Sequence, residues 1–270
     1  MAAITARSAE RPCKPADGRP MIGLVSLSLV SGFLIGCVGI GGVILVPCLT
    51  MVGVDVHAAI AASMFSFLFS GLIGVWLYAR EGSVQWAEAA WLGLGAMPGA
   101  LAGALLASRM EGRILLLLIG AAVVFAGLRS LMKRGADRAA DGHIPAAWIL
   151  VLTGAAVGLG SSVTGTGGPL LLVPLLIWLR VPVLVAVGLG QAIQVPIAAL
   201  ATLGNLGTGQ LGLQLGLLLS GGVIVGTAVG ARVAHSIPTA ALTRLVAVIL
   251  LIVGALVIVR SSNIVSFAAS

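Results

Sequence analysis

Long apolar runs, separated by short polar or charged segments, fill the chain from about residue 21 onward. Charges and turn residues delimit eight runs, at about 21–52, 57–79, 86–108, 113–131, 145–179, 182–204, 211–234 and 239–259. Six of them have a length close to the roughly 20 residues that a helix needs to cross a bilayer. Because a helix satisfies its backbone hydrogen bonds internally, the pattern predicts an all-α integral membrane protein.

The composition indicates the same class. Of the 270 residues, 59% are hydrophobic and 9% are charged, against about 25% charged in an average soluble domain. Such a chain cannot supply the polar surface of a soluble fold, nor the basic face that nucleic-acid binding requires. Its 38 glycines are typical of closely packed transmembrane helices. The first apolar run is too long for a signal-peptide core, so we interpret it as an uncleaved span.

The first and fifth runs are too long for one straight crossing, and each carries a glycine cluster near its middle. Beyond these clusters the two halves align at a constant offset of about 127 residues. Matching positions include Pro47 with Pro174, Gly82 with Gly209, and Gly95, Gly99 and Gly103 with Gly222, Gly226 and Gly230. The last six recur every four residues, so we interpret them as packing positions on one helix face. The alignment predicts a duplicated unit of four segments, with runs 1 and 5 broken at glycines.

The predicted organisation is therefore two repeats with polar flanks. It comprises a basic tail at 1–20, a first repeat at 21–131, a polar loop at 132–144, a second repeat at 145–260 and a tail at 261–270.

The net charge of +7 is explained by the excess of Lys and Arg in cytoplasmic segments of membrane proteins. If all eight runs cross the membrane, ten of the 15 basic residues lie on the side of the N-terminus. If runs 1 and 5 are instead re-entrant hairpins, the repeats become inverted and this bias disappears. We favour eight crossings, with both termini and the loop 132–144 in the cytoplasm, although paired re-entrant elements are common in transporters.

The two glycine clusters are the strongest candidate site. Backbone that leaves the helix at membrane depth must be buried in protein or face a watery cavity. The helix that resumes after a break offers free N–H groups and a positive dipole end, which favour an anion. The alternative is that the glycines only permit close packing. The candidate glycines are Gly39, Gly41, Gly42, Gly165, Gly167 and Gly168.

Four polar side chains near the breaks are candidate hydrogen-bond donors: Ser63, Thr164, Thr166 and Gln191. The alternative for the hydroxyls is that they bond to carbonyls of their own helix. Ionisable residues are nearly absent from the span centres, and Glu88 reads as interfacial rather than proton-coupling. Neither a metal-ligand spacing nor a catalytic constellation occurs, so the sequence predicts no metal, no cofactor and no enzyme.

The residues around both breaks resemble the TauE/SafE family of sulfite exporters. The segments that carry the resemblance are SGFLIGCVGIGG (31–42) with Pro47, Ala61-Ala62-Ser63-Met64, Gly82-Ser83-Val84, TGTGGP (164–169) with Pro174, and Gly188-Leu189-Gly190-Gln191. It implies transport of sulfur-containing anions, such as sulfite and organosulfonates, across a bacterial inner membrane. The chain departs from the family pattern at two points. Its first glycine cluster is one residue shorter than is usual in the family, and Pro169 stands where another small residue is common.

The sequence thus predicts an exporter of a small anion, with sulfite or a related sulfonate as the leading candidate and the lipid bilayer as its environment. The anion follows from the paired breaks, whereas the sulfur follows from the resemblance alone. A passive anion channel and a non-transporting accessory subunit are the alternatives. The oligomeric state is not specified by the sequence.

Overall fold

A computed structural model describes residues 19–39, 42–121, 146–179, 181–209, 211–234 and 236. All regular structure within these ranges is helical. The helices are α1 (Arg19–Val38), α2 (Gly42–Met51), α3 (Val56–Arg80), α4 (Trp86–Ala107), α5 (Gly112–Ala121), α6 (Ala147–Thr164), α7 (Pro169–Trp178), α8 (Val183–Gly207) and α9 (Leu213–Ala234).

Six of these helices, namely α1, α3, α4, α6, α8 and α9, are long and apolar enough to cross a membrane. This confirms the prediction of an all-α multi-pass membrane protein. The short helices α2 and α7 have 10 residues each and therefore span about 15 Å, half of the hydrocarbon core. The eighth predicted run and the end of the fourth lie outside the described residues.

The contacts along helix pairs give the direction of each helix. Helices α1 and α9 run parallel, because a Cβ on Gly32 would meet Val223 and one on Gly36 would meet Thr227 and Ala231. Helices α3 and α9 are also parallel, since Phe65 lies against Gly216 whereas the hydroxyl of Ser70 is 2.8 Å from that of Thr227. These three helices therefore point the same way.

The second set of parallel helices is α4, α6 and α8. Along α4 and α6, a Cβ on Gly95 would meet Val151 and one on Gly103 would meet Leu159. Ala104 of α4 lies against Gly204 of α8, and Ser83, just before α4, lies against Gly188 early in α8.

The two sets are antiparallel to each other. Gln194 of α8 donates from Nε2 to the Phe67 carbonyl of α3 at 3.0 Å, whereas Gln191, earlier in α8, lies against Gly74, later in α3. We call the face where α1, α3 and α9 begin the first face, and the face where α4, α6 and α8 begin the second face.

These directions correct the expectation that all eight runs cross the membrane. Alternating crossings would make α1 and α6 parallel, but they are antiparallel. Helix α2 runs against α3, because Gly42 lies beside Phe67 while Val46 and Ile60 both lie beside Gly165. The first run therefore enters from the first face in α1 and returns toward that face in α2, and the fifth enters from the second face in α6 and returns in α7. The alternative of two re-entrant hairpins is the one the structure supports.

The predicted packing role of the regular glycines is confirmed. A Cβ on Gly99 would meet the Ala155 carbonyl of α6, and one on Gly226 would meet the Leu29 carbonyl of α1. Backbones approach this closely only where side chains are missing, which is how membrane helices gain dispersion contacts. Helix α4 thereby packs against α6, and α9 packs against α1.

Candidate functional site

The two helix breaks meet inside the bundle. Helix α1 ends at Gly39 (φ 76°), whose N–H donates to the Ile35 carbonyl at 2.8 Å. A Cβ on Gly39 would lie 2.8 Å from the Pro169 side chain, at the start of α7. A Cβ on Gly42, at the start of α2, would lie 2.5 Å from the Thr166 carbonyl oxygen. Each break therefore contacts the opposite one, as a shared site requires.

Gly167 and Gly168 of the second break lie at the depth of the helix centres. A Cβ on Gly167 would lie 2.9 Å from Cδ2 of Phe67, near the middle of α3. A Cβ on Gly168 would lie 3.0 Å from Cδ1 of Ile197, near the middle of α8. Backbone that is not helical at this depth needs protein around it, and these two helices provide it.

Three amide groups at the start of α7 have no backbone acceptor among the described residues. Pro169 has no N–H, and it occupies the first helical position, where none is needed. Leu171 and Leu172 both donate to the Gly168 carbonyl, at 3.2 Å each. The described residues supply no backbone acceptor for Gly167, Gly168 or Leu170. Together with the positive ends of α2 and α7, these groups suit an anion.

The two threonines of the second break are hydrogen-bonded to each other. Thr164 donates from Oγ1 to the Gly160 carbonyl at 2.7 Å, and its oxygen is 3.0 Å from Oγ1 of Thr166. Thr166 must therefore be the donor of that second bond. Both hydroxyl protons are used inside the protein in this conformation, so an anion would have to displace one of these bonds to be held by either threonine.

Gln191 reaches across from α8 to the end of α1. Its Nε2 donates to the Ile35 carbonyl at 2.9 Å, while Oε1 is buried without a partner among the described residues. Ser63 is also fully buried, and its hydroxyl likewise has no hydrogen-bond partner among the described residues. Ser63 lies between Ile60 and Phe67, which contact Gly165 and Gly167. Gly41, the remaining predicted site residue, lies outside the described residues.

The site contains no balancing charge in the described part of the chain. No Asp, Glu, Lys or Arg is buried there, and no group of His, Cys, Asp or Glu residues is placed to hold a metal ion. Glu88 lies in the first turn of α4, away from the breaks, which agrees with its interfacial interpretation. Any ligand at the breaks would therefore be held by dipoles and hydrogen bonds.

Comparison with protein families identifies the chain. The model of the sulfite exporter TauE/SafE family matches residues 24–257, a range that includes both breaks and every candidate residue. The chain belongs to the TauE/SafE family. Within the described residues, six of its helices are long and apolar enough to cross a membrane.

Two relatives of this TauE/SafE protein come from two strains of Xylella fastidiosa, Temecula1 and 9a5c. Each is described as a "Probable membrane transporter protein" and is 32% identical over 168 residues. The aligned part covers 58% of the chain and 63% of each relative. No solved structure matches the chain.

Sequence reasoning missed two residues of this TauE/SafE site. Phe67 packs against Gly42 and Gly167, and the hydroxyl of Tyr78 donates to the Gly36 carbonyl at 3.0 Å. Tyr78 is the only tyrosine of the chain, and it lies in an apolar span, where a phenol hydroxyl needs a partner. That signal was available in the sequence. For Phe67 there was none, since a phenylalanine in a membrane helix is ordinarily a packing or lipid-facing residue.

Proposed function

We propose that this TauE/SafE protein exports a small sulfur-containing oxyanion or organosulfonate, such as sulfite, across a bacterial inner membrane. The observation that carries the proposal is the contact between the two helix breaks at the depth of Phe67 and Ile197. Two helices, α2 and α7, begin there. Their positive ends and free amides would face the same small volume, which is the arrangement that binds anions in transporters with broken helices.

The chemistry of the surrounding side chains supports an anion over a cation. The candidate substrate-binding residues carry hydroxyl, amide or backbone N–H groups, and no carboxylate is buried in the described part of the chain. A cation would need carboxylates or converging carbonyls. A sulfite or sulfonate group offers three acceptor oxygens, which Ser63, Gln191 and the amides of the second break could satisfy from different sides. With neither a metal site nor a catalytic group involved, the proposal is of transport without enzymatic chemistry.

We further propose that the chain consists of eight segments in two inverted repeats. The packing supports this. Helix α1 pairs with α9, and α6 pairs with α4, so that the first run of each repeat packs against the third run of the other. The helices of the second run of each repeat, α3 and α8, pair across the middle. There Phe67 meets Gln194, and these two positions share the sequence offset of the repeat. Rocking of one half against the other around the breaks would then give alternating access.

For orientation, we propose that both termini lie in the cytoplasm. Re-entrant hairpins remove the overall charge bias, so the support comes from the first 20 residues, which carry Arg7, Arg11, Lys14 and Arg19. Charge next to the first helix usually dominates the orientation. In this arrangement the first face is cytoplasmic. Fusions of a reporter enzyme to either terminus test it, and an active periplasmic reporter would reverse it.

The direct test is flux in proteoliposomes that contain the purified protein. Sulfite, sulfate, thiosulfate and a set of sulfonates would be offered one at a time. We expect saturable flux of at least one sulfur-containing anion, lost in Gly167→Leu, because a leucine at that position would collide with Phe67. Absence of flux for every anion would refute the transport proposal.

The same assay separates the alternatives. A passive anion channel would give flux that does not saturate with concentration. An accessory subunit would give no flux alone and would co-purify with a partner. Saturable flux excludes both.

A further inference from the structure

Buried polar groups without partners are distributed unevenly between the two halves of the membrane. Six buried side-chain atoms lack a hydrogen-bond partner among the described residues. Five of them lie on the first-face side of Gly167 and Gly168: the hydroxyls of Ser63, Ser161, Ser162 and Thr202, and the amide nitrogen of Asn205. Each of these residues is at most 6% exposed. All five groups can donate a hydrogen bond.

Four of these groups lie in the last turns of α6 and α8, two helices that run toward the first face. The Ser161 carbonyl accepts the N–H of Gly165 at the break. The Cβ of Ser162 lies 3.0 Å from the Cβ position of Gly103. The next residue of α4, Ala104, lies against Gly204 of α8, the neighbour of Asn205. Ser162 and Gly204, the neighbour of Asn205, therefore lie against the same turn of α4, and Asn205 is close to the end of α8 at Gly207.

The corresponding positions toward the second face are apolar or already bonded. Ile35 is the counterpart of Ser161, because its carbonyl accepts the N–H of Gly39, the glycine that ends α1. At the repeat offset, Val75 replaces Thr202 and Tyr78 replaces Asn205. Tyr78 donates its hydroxyl proton to the Gly36 carbonyl. Gln191 of α8 donates to the Ile35 carbonyl. These two hydrogen bonds tie α1 to α3 and to α8.

We propose that the unpartnered donors line the half-path by which the anion passes between the breaks and the first face once that half opens, and that the Tyr78–Gly36 hydrogen bond holds the opposite half closed. The proposal rests on the proposed transport function. It adds the route of the anion toward the first face and identifies the half toward the second face as the closed one. Buried hydroxyl and amide groups at membrane depth require partners, which water or the oxygens of a passing anion supply. The groups offer donors and no carboxylate, so a cation is not served by this route.

Cysteine labelling tests the half-path without requiring transport. In a chain freed of its native thiols (Cys13→Ser, Cys37→Ala, Cys48→Ala), the matched pair Ser161→Cys and Ile35→Cys would be treated with MTSES, a small anionic thiol reagent. We expect Ser161→Cys to react at least about tenfold faster, since water does not enter an apolar half. Access should come from the first face only. Equal rates, or a faster rate at Ile35→Cys, would overturn the half-path.

A second pair guards against a variant that fails to fold. Thr202→Cys and Val75→Cys occupy corresponding positions in α8 and α3, and Thr202→Cys should be the faster of the two. The rate of each reagent at Ser161→Cys is divided by its rate with a free thiol in solution. On this scale the cationic reagent MTSET should react more slowly than MTSES. A preference for MTSET would contradict an anion path.

Tyr78→Phe tests the closed side. Added to Ile35→Cys, it removes one hydroxyl while it keeps the ring, and it should raise the labelling rate at Ile35→Cys. An unchanged rate would show that the Tyr78 hydroxyl does not close that half. Flux together with equal labelling rates at Ser161→Cys and Ile35→Cys would refute the half-path alone. Faster labelling at Ser161→Cys without flux of any anion would refute transport and leave the half-path in place.

Discussion

Replacement of Gly167 by alanine separates a structural requirement of the break from simple backbone strain. Gly167 has φ 84°, in the left-handed region that residues with a Cβ avoid. Its Cβ position is also occupied in part by the ring of Phe67, with Cδ2 at 2.9 Å, Cγ at 3.4 Å and Cε2 at 3.5 Å. An alanine therefore meets two separate costs.

The two costs can be estimated and then divided by a control. The left-handed conformation costs about 1–2 kcal/mol for a residue with a Cβ. Overpacking against a buried ring costs about 1–3 kcal/mol, since the ring must move within a close-packed core. Gly82 has φ 68° and no atom within 4 Å of its Cβ position, so Gly82→Ala carries only the first cost. We expect Gly167→Ala to be less stable than Gly82→Ala by about 1–3 kcal/mol, which is the packing cost alone.

Unfolding of both variants in mixed detergent, followed by tryptophan fluorescence, measures this difference. Flux in proteoliposomes measures the consequence, because displacement of Phe67 or of the break would disturb the proposed site. Gly82→Ala should keep its flux, whereas Gly167→Ala should lose much of it. The reasoning is refuted if the two variants are equally stable and transport equally well.

Three further predictions follow from contacts elsewhere in the bundle. Gly95→Ala should destabilise the protein by about 1–3 kcal/mol, because its Cβ would meet an α6 carbonyl; Gly93→Ala, on the same helix with nothing within 4 Å, should be neutral or slightly stabilising in the same unfolding assay. Asp55→Ala should cost about 1 kcal/mol of stability, since the carboxylate caps α3 by accepting two backbone N–H bonds. Asp55→Asn should keep most of that stability, and equal losses would contradict a capping role. Gln191→Leu should lower stability by about 1–3 kcal/mol through the loss of its bond to the α1 carbonyl and should abolish saturable flux; unchanged flux would remove this residue from the proposed site.

Re-entry also changes how a topology experiment should be read. Eight alternating crossings and two hairpins both place the termini on one side, so terminal reporters alone do not separate them. The start of α6 does, because the hairpin arrangement places Ala147 on the face opposite to Arg19. A cysteine at Ala146, which is exposed just before α6, should therefore be labelled from the side opposite to the termini. Labelling from the same side would restore eight crossings.

The sequence by itself determined the class of the protein, the positions of its membrane helices and the location of both breaks. Hydropathy is additive along the chain, so run length and composition alone predict that a segment enters the bilayer. A Gly-x-Gly-Gly cluster weakens a helix by local backbone chemistry, and for that reason the ends of α1 and α6 were predicted close to Gly39 and Gly165. The packing role of the four-residue glycine spacing followed from helix periodicity.

Only the tertiary structure decided the direction of the chain after each break and the identity of the groups that face it. A hydropathy profile carries no information on the direction of the chain, so a segment that crosses the membrane and one that turns back look alike if they are equally apolar. The contacts of Gly42 with Phe67 and of Gly165 with Val46 resolved the direction. The hydroxyls of Thr164 and Thr166 were predicted as donors to a substrate, yet the fold brings them within 3.0 Å of each other. Likewise Tyr78 and Gly36 are 42 residues apart and meet only because α1 and α3 are parallel. Such pairings depend on how whole helices dock, a property that no local pattern in the sequence encodes.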